Sequence, residues 1–161
     1  MNNLPMAALR VLSFAAATGR VGSVFLIGDR LMDWQMSKKA AESGAEAAAF
    51  ALRLIDDLTP DVVVTEELET ARHKGKHTLA LIAAIAQMAE SSDLIDVSVP
   101  REHRYPNKYV EADALVECYP ELAPWKPAKR QFFDNEPHRT VLFEALALAE
   151  NMIERPGELG S

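Results

Sequence analysis

Three short runs of apolar and β-branched residues open the chain, and tight turns separate them. Residues 10–15, 21–27 and 31–36 have the composition of strands, with breaks at Gly19 and Gly28. Strands joined by such short turns can only pair as antiparallel neighbours. We therefore predict that the chain begins with an antiparallel meander of three strands.

The spacing of apolar residues changes to that of a helix after the third strand. Ser37 is the predicted N-cap of an amphipathic helix over residues 38–57, which would cover one face of the sheet. A short run of valines then predicts a buried fourth strand that ends on Glu66. The next helix, 78–90, is apolar around most of its circumference, so one side must face the sheet and another could face a second subunit.

The last third of the chain predicts a fifth strand, two more helices and a long loop. The strand covers 94–99, the first helix 108–119, and the proline-rich loop 120–137, whose end at Glu136-Pro137 can start the final helix. Strands reached through helical crossovers lie parallel to their neighbours. The predicted fold class is therefore α/β: a mixed five-stranded sheet, first an antiparallel meander and then parallel, with helices on both faces.

Length and composition indicate a soluble globular chain of one domain. The 161 residues suit a single domain, with 1–8 as a loose leader and 155–161 as a disordered tail. The single cysteine, Cys118, excludes an intramolecular disulfide and fits a reducing compartment, and we expect it to be a small buried hydrophobe. No apolar run is long enough to span a membrane and no export signal is evident, so the expected location is cytoplasmic.

The net charge of −7 argues against broad, non-specific adhesion to nucleic acid, but it permits a local basic patch. The densest basic run directly follows the fourth strand. Its cations Arg72, Lys74 and Lys76 are either phosphate contacts or ordinary solvated charges. The two histidines of this run are not a convincing metal pair, because Gly75 interrupts the turn between them.

A second mixture of cations and aromatic residues lies in the proline-rich loop. Lys129 and Arg130 stand near Trp125 and two phenylalanines, and Arg139 opens the last helix. Such a mixture either stacks on bases and holds a nucleic-acid backbone, or is a loop pinned to the core by its aromatic side chains.

Three stretches of the chain resemble the ribonuclease-H-like superfamily and, within it, the RuvC-type Holliday-junction resolvases. They are residues 11–22, 60–66 and 138–149, and the resemblance extends from Arg10 to about Met152. It implies a ribonuclease-H-like fold, a homodimer formed through helix 78–90, and branched or duplex DNA as partner. It also implies Mg²⁺ or Mn²⁺ as cofactor, held by about four acidic groups that position two ions.

The sequence departs from the family pattern at the acidic positions. Ala15 stands where the family carries its central, metal-bridging Asp, and Val141 stands where a second Asp or a His is common. Glu66 matches the family, and Glu144 occupies a position where Asp is usual. The resemblance thus makes Glu66 and Glu144 the candidate metal ligands, and Asp134 and His138 are further candidates for the catalytic set.

Three functions follow from this pattern. The leading one is a resolvase-like nucleic-acid-binding protein with an incomplete two-metal site, a pseudo-nuclease that is inactive or weakly active. The second is an active Mg²⁺- or Mn²⁺-dependent, structure-specific endonuclease that uses Glu66, Asp134, His138 and Glu144. The third is a non-enzymatic, homodimeric interaction protein. On sequence alone, an Ala15→Asp change is expected to raise divalent-metal affinity.

Overall fold

A five-stranded mixed sheet forms the centre of the molecule. The computed structural model describes residues 9–102, 104–127 and 140–153. Neighbouring strands follow the order β3-β2-β1-β4-β5, in which β1 to β3 are antiparallel and β4 and β5 continue in parallel with β1. The predicted sheet is therefore confirmed, with the bounds β1 (Arg10–Ala17), β2 (Arg20–Ile27), β3 (Arg30–Ser37), β4 (Val62–Glu66) and β5 (Ile95–Val99).

Helices cover both faces of this sheet, as the sequence predicts, and each face has its own apolar core. Side chains alternate along a strand, so Leu12 of β1 joins one core and Val11 joins the other. The Leu12 core includes side chains of α1 and α3, and the Val11 core includes side chains of α4 and α5. The helices are α1 (Gly44–Leu58), α2 (Leu68–Ala71), α3 (Lys76–Glu90), α4 (Lys108–Cys118) and α5 (Thr140–Ile153).

The first helix begins later than predicted. Ser37 does accept a hydrogen bond from the N–H of Ala40, at 2.9 Å, but the turn that follows is a short 3₁₀ helix. The α-helix starts at Gly44, where Ser43 is the N-cap and its hydroxyl accepts from the N–H of Glu46 at 3.1 Å. Two serines six residues apart thus each accept the N–H of the residue three positions on, but only Ser43 is the N-cap of an α-helix.

Two segments outside the predicted strands and helices contain helical turns. After β4, the carbonyl of Glu67 accepts the N–H groups of Thr70 and Ala71, each at 3.1 Å, which closes the single turn of α2. A 3₁₀ turn over Arg72–Lys74 leads into α3, which begins at Lys76. The start of the predicted proline-rich loop is likewise a 3₁₀ helix, Pro120–Trp125.

The expectation that Cys118 is buried is wrong. Cys118 is exposed at the last position of α4, while the next residue, Tyr119, is buried and donates its hydroxyl proton to the Glu150 carboxylate. The helix therefore turns its aromatic neighbour, not the thiol, towards the core.

Several predictions fall on parts of the chain outside the described residues. These are the leader 1–8, the tail 155–161, and the loop and helix start over 128–139. Within the described residues, no helix is long and apolar enough to cross a membrane.

Candidate acidic centre

The ends of β1 and β4 bring Ala15 and Glu66 to the same level of the sheet. The parallel register pairs Ser13 with Val64, and Ala15 and Glu66 each lie two residues further along their strands. Both are buried, with exposed fractions of 4% and 2%. Because residues two apart share a face, both side chains lie on the face that α5 covers.

Helix α5 is held against this face by a hydrogen bond and a close contact. The Ser13 hydroxyl donates to the Ala145 carbonyl at 2.7 Å. Gly22, the β2 partner of Ala15, lies so near the helix that a Cβ there would stand 2.9 Å from Cγ1 of Val141. Glu144 lies between these two anchor points on the helix, so its carboxylate is positioned at the end of β1.

The side chain of Lys74 joins the two glutamates. Its Nζ lies 3.1 Å from Oε1 of Glu66, and it donates to Oε1 of Glu144 in a direct ion pair. It also donates to the Ala16 carbonyl at 3.1 Å. The three side chains are largely buried, with exposed fractions of 14% for Lys74, 1% for Glu66 and 18% for Glu144. We name the set Glu66, Lys74 and Glu144 the acidic centre.

A second layer of polar contacts supports Glu66. The Thr70 hydroxyl lies 3.4 Å from Oε2 of Glu66 and 3.0 Å from the Glu67 carbonyl, and it accepts from the N–H of Arg101 at 3.2 Å. The Arg101 guanidinium in turn binds both carboxylate oxygens of Glu111, and each of the two side chains is 10% exposed. Such a bidentate pair has a fixed geometry, so it orients the chain segment that contacts Thr70.

A small cavity adjoins the acidic centre. Its volume is about 60 Å³, and Arg101, Lys108, Glu111 and Glu144 are among its lining residues. The cavity connects the centre to the N-terminal end of α4 and offers cations beside one of its carboxylates.

The described residues do not fit a two-metal site. Hard divalent cations need several oxygen ligands, most of them carboxylates, whereas a methyl group stands at Ala15. An ammonium group already contacts both Glu66 and Glu144. Across the described ranges, no group of three or more His, Cys, Asp or Glu side chains is arranged to hold a metal ion.

The residues of the basic run, 72–77, differ in their surroundings: some are exposed, and Lys74 is largely buried. Arg72 is exposed and pairs with Glu69 at 3.0 Å, and Lys76 is exposed at the start of α3. Lys74, one of the three candidate phosphate contacts, is turned into the acidic centre. His77 is hydrogen-bonded through Nε2 to the Ala41 carbonyl at 2.7 Å. The other candidate residues, Lys129, Arg130, Asp134, His138 and Arg139, lie outside the described residues.

Sequence reasoning missed the roles of Lys74, Arg101 and Glu111. One signal could have indicated Lys74: a buried carboxylate needs a partner, and the chain offers a lysine eight residues after Glu66. No comparable signal exists for Arg101 and Glu111, since a pair ten residues apart is one of many that the sequence allows.

The fold that surrounds this centre is the ribonuclease-H-like fold of RuvC-type resolvases. Similar solved structures include Thermus thermophilus RuvC in complex with a Holliday junction substrate, with a TM-score of 0.58 and 17% identity over 93% of this chain and 96% of that one. The yeast mitochondrial Holliday junction resolvase Ydc2 gives a TM-score of 0.53 and 13% identity over 95% of this chain and 81% of that one. The chain therefore has a RuvC-like fold, as the sequence resemblance implies.

The likeness is carried by structure and not by sequence. No protein-family model matches the chain, and no curated protein matches it in sequence.

Proposed function

We propose that this chain is a resolvase-like nucleic-acid-binding protein whose incomplete acidic centre cuts DNA inefficiently or not at all. The observation that carries the proposal is the composition of the centre: two carboxylates joined by a lysine, beside a methyl group where a third acid would stand. Phosphodiester cleavage by two metals needs anionic ligands that hold both ions about 4 Å apart, and these residues supply too few.

Nucleic-acid binding is the second part of the proposal, with a branched or duplex DNA as partner. The RuvC structure similar to this chain is a complex with a Holliday junction. In this chain, Arg72 and Lys76 are exposed cations on either side of Lys74, in the segment that follows β4, where they can meet phosphates. Lys129, Arg130 and Arg139 are proposed to add to the same contact. Because the whole chain carries a charge of −7, binding must rely on such a local patch.

Binding and cutting are tested together on one set of labelled substrates. A four-way junction, a duplex and a single strand are incubated with the protein at several salt concentrations, with EDTA or with Mn²⁺. We expect a mobility shift whose affinity falls steeply with salt, and intact substrate in both buffers. A protein that binds none of the three substrates would contradict the proposal.

Variants locate the surface that binds. The double change Arg72→Ala and Lys76→Ala should weaken binding and flatten the salt dependence by about one unit of slope per lost phosphate contact. The control is Arg53→Ala, which removes an exposed arginine from α1. Equal losses in both variants would mean that the basic run is not the contact surface.

The active endonuclease is the alternative that one observation favours. Glu66 and Glu144 come from different elements and meet at one point, as metal ligands would. With Asp134 and His138 added, the set could bind Mg²⁺ or Mn²⁺. Junction cleavage that needs Mn²⁺ and disappears in Glu144→Gln would establish this function instead, whereas absent binding would favour the interaction protein.

A homodimer formed through α3 and a cytoplasmic location complete the proposal. Leu81, Ile82 and Ile85 of α3 are buried, and α3 packs on both the sheet and α1. Ala80 and Gln87 are exposed on α3, and we propose that they are among the residues that meet a second copy.

A further inference from the structure

We infer that the ammonium group of Lys74 occupies the position of a divalent metal ion between Glu66 and Glu144. It holds the two carboxylates together and keeps divalent metals away from them. The inference rests on the proposed function, because it says how the same centre is kept in a state that does not cut. It concerns a residue that the sequence groups with exposed phosphate contacts.

The contacts of Lys74 are those of a bound cation. A lysine ammonium has three hydrogens to donate; Nζ donates to a carboxylate oxygen of Glu144 and to the carbonyl of Ala16, and its charge lies 3.1 Å from Oε1 of Glu66. Two carboxylates and a carbonyl are also the oxygen ligands that Mg²⁺ or Mn²⁺ prefers. The ammonium therefore occupies the place between these oxygens that a metal would need.

The burial of the Glu66 carboxylate explains why this position requires a cation. The Glu66 side chain is 1% exposed, and a buried carboxylate without a partner is strongly unfavourable. In this chain, Lys74 provides that partner from inside the fold. A divalent ion would have to displace the ammonium first, against the repulsion of like charges at short range.

The same ammonium favours contact with a phosphate backbone. Without it, Glu66 and Glu144 would present two negative charges to a bound nucleic acid, and with it they present one. Lys74 thus performs the neutralising role of a metal ion without its capacity to activate water.

This inference changes the expectation for Ala15→Asp. The sequence alone predicts that a third carboxylate raises metal affinity. With Lys74 in place, the added acid should instead join the ion-pair cluster, and metal binding should require the removal of the ammonium as well.

The test is calorimetric titration with MnCl₂, without nucleic acid, of the wild type, Ala15→Asp, Lys74→Met and the double variant Ala15→Asp/Lys74→Met. Lys38→Met is the control, since it removes an exposed lysine outside the centre. We expect the wild type, Ala15→Asp and Lys38→Met to share the same weak background. The double variant should bind Mn²⁺ at least about tenfold more tightly, because a unit positive charge within a few ångströms has been removed. Ala15→Asp binding as tightly as the double variant would overturn the inference.

A second measurement uses the wild-type protein and remains decisive if Lys74→Met fails to fold, as circular dichroism would reveal. Reductive methylation followed by peptide mass spectrometry gives the reaction rate of each lysine. Lys74, only 14% exposed and ion-paired, should react much more slowly than Lys38, and Glu144→Gln should raise its rate. Equal rates for Lys74 and Lys38 in the wild type would refute the inference.

The two proposals fail separately. A protein that binds no nucleic acid but has a protected Lys74 and a Mn²⁺ site only in the double variant would refute the proposed function alone. A protein that binds junctions but gains Mn²⁺ affinity from Ala15→Asp by itself would refute the role of Lys74 alone.

Discussion

Two groups of charged side chains at the candidate site are largely buried. Besides the acidic centre, Arg101 and Glu111 form a bidentate ion pair whose side chains are each 10% exposed. The pair lies between the segment that contacts Thr70 and the first turn of α4. The ion pair connects the segment after β5 to α4, the helix that lies beside the acidic centre.

Loss of one partner of this pair should be costly. We expect Glu111→Ala to lower the free energy of unfolding by about 3 kcal/mol, since it leaves the Arg101 guanidinium buried without its counter-charge. Urea unfolding followed by circular dichroism measures the change. Glu117→Ala, at an exposed position of the same helix, is the control and should stay within about 0.5 kcal/mol of the wild type. Equal losses would mean that the pair contributes nothing beyond helix propensity.

Sequence reasoning reached Glu66 and Glu144 but not the lysine between them. The two acids stand at the end of a valine-rich strand and on an apolar helix, positions that a family resemblance makes recognisable. Lys74 lies in a polar run of alternating cations, and its neighbours Arg72 and Lys76 are exposed. Only the path of the 3₁₀ turn decides which of the three cations points inwards, and that path depends on tertiary contacts.

At the scale of the elements, α5 packs closely against β2 of the sheet. Gly22 has no side chain at the point where Val141 crosses β2, and this lets the helix approach. This close approach places Glu144 near β1, so the position of the Glu144 carboxylate depends on the absence of a side chain at Gly22 of β2.

Gly22→Ala tests this dependence. A Cβ at 2.9 Å from Val141 Cγ1 must push the helix outwards, and we expect a loss of about 1–3 kcal/mol in unfolding free energy. Val141→Ala in the same chain should recover part of the loss, a coupling that a double-mutant cycle measures. Gly44→Ala is the matched control, because its new methyl would lie an ordinary 3.4 Å from the Ala84 Cβ. The absence of coupling between positions 22 and 141 would contradict this account.

The elements were predictable to different degrees for physical reasons. Strands β1 to β3 follow from short runs of apolar and β-branched residues and from glycine turns, which are local signals. The start of α1 was placed too early because Ser37 and Ser43 are both acceptable caps, and the sequence does not say which one begins the longer helix. The single turn of α2 is four residues long and has no side-chain cap, so it offers no periodic pattern or capping signal to recognise.

At the scale of the whole molecule, α3 is the helix through which we propose that two copies of the chain associate. Its apolar circumference, which suggested a subunit interface, is in large part explained within one chain by the sheet on one side and α1 on another. The residues of α3 that remain exposed are Lys76, His77, Ala80, Gln87 and Glu90. The homodimer therefore stays a prediction that needs its own measurement.

Light scattering after size exclusion decides the state of assembly. We expect twice the chain mass of 17.7 kDa for the wild type and the mass of one chain for Ala80→Glu, which places a charge on the exposed side of α3. Val110→Glu, at an exposed position of α4, should stay dimeric. A wild-type protein with the mass of one chain at micromolar concentration would rule out a stable dimer.

The side chain of Lys74 also fastens the segment on which it lies. Residues 68–75 connect the end of β4 to α3. Two contacts hold this segment in place: the Thr70 hydroxyl accepts the N–H of Arg101, and Lys74 pairs with Glu66 and Glu144. Any outward swing of this segment must carry the ammonium away from both glutamates. A different position of this segment would therefore change the charge around Glu66 and Glu144 together, because one ammonium contacts both carboxylates.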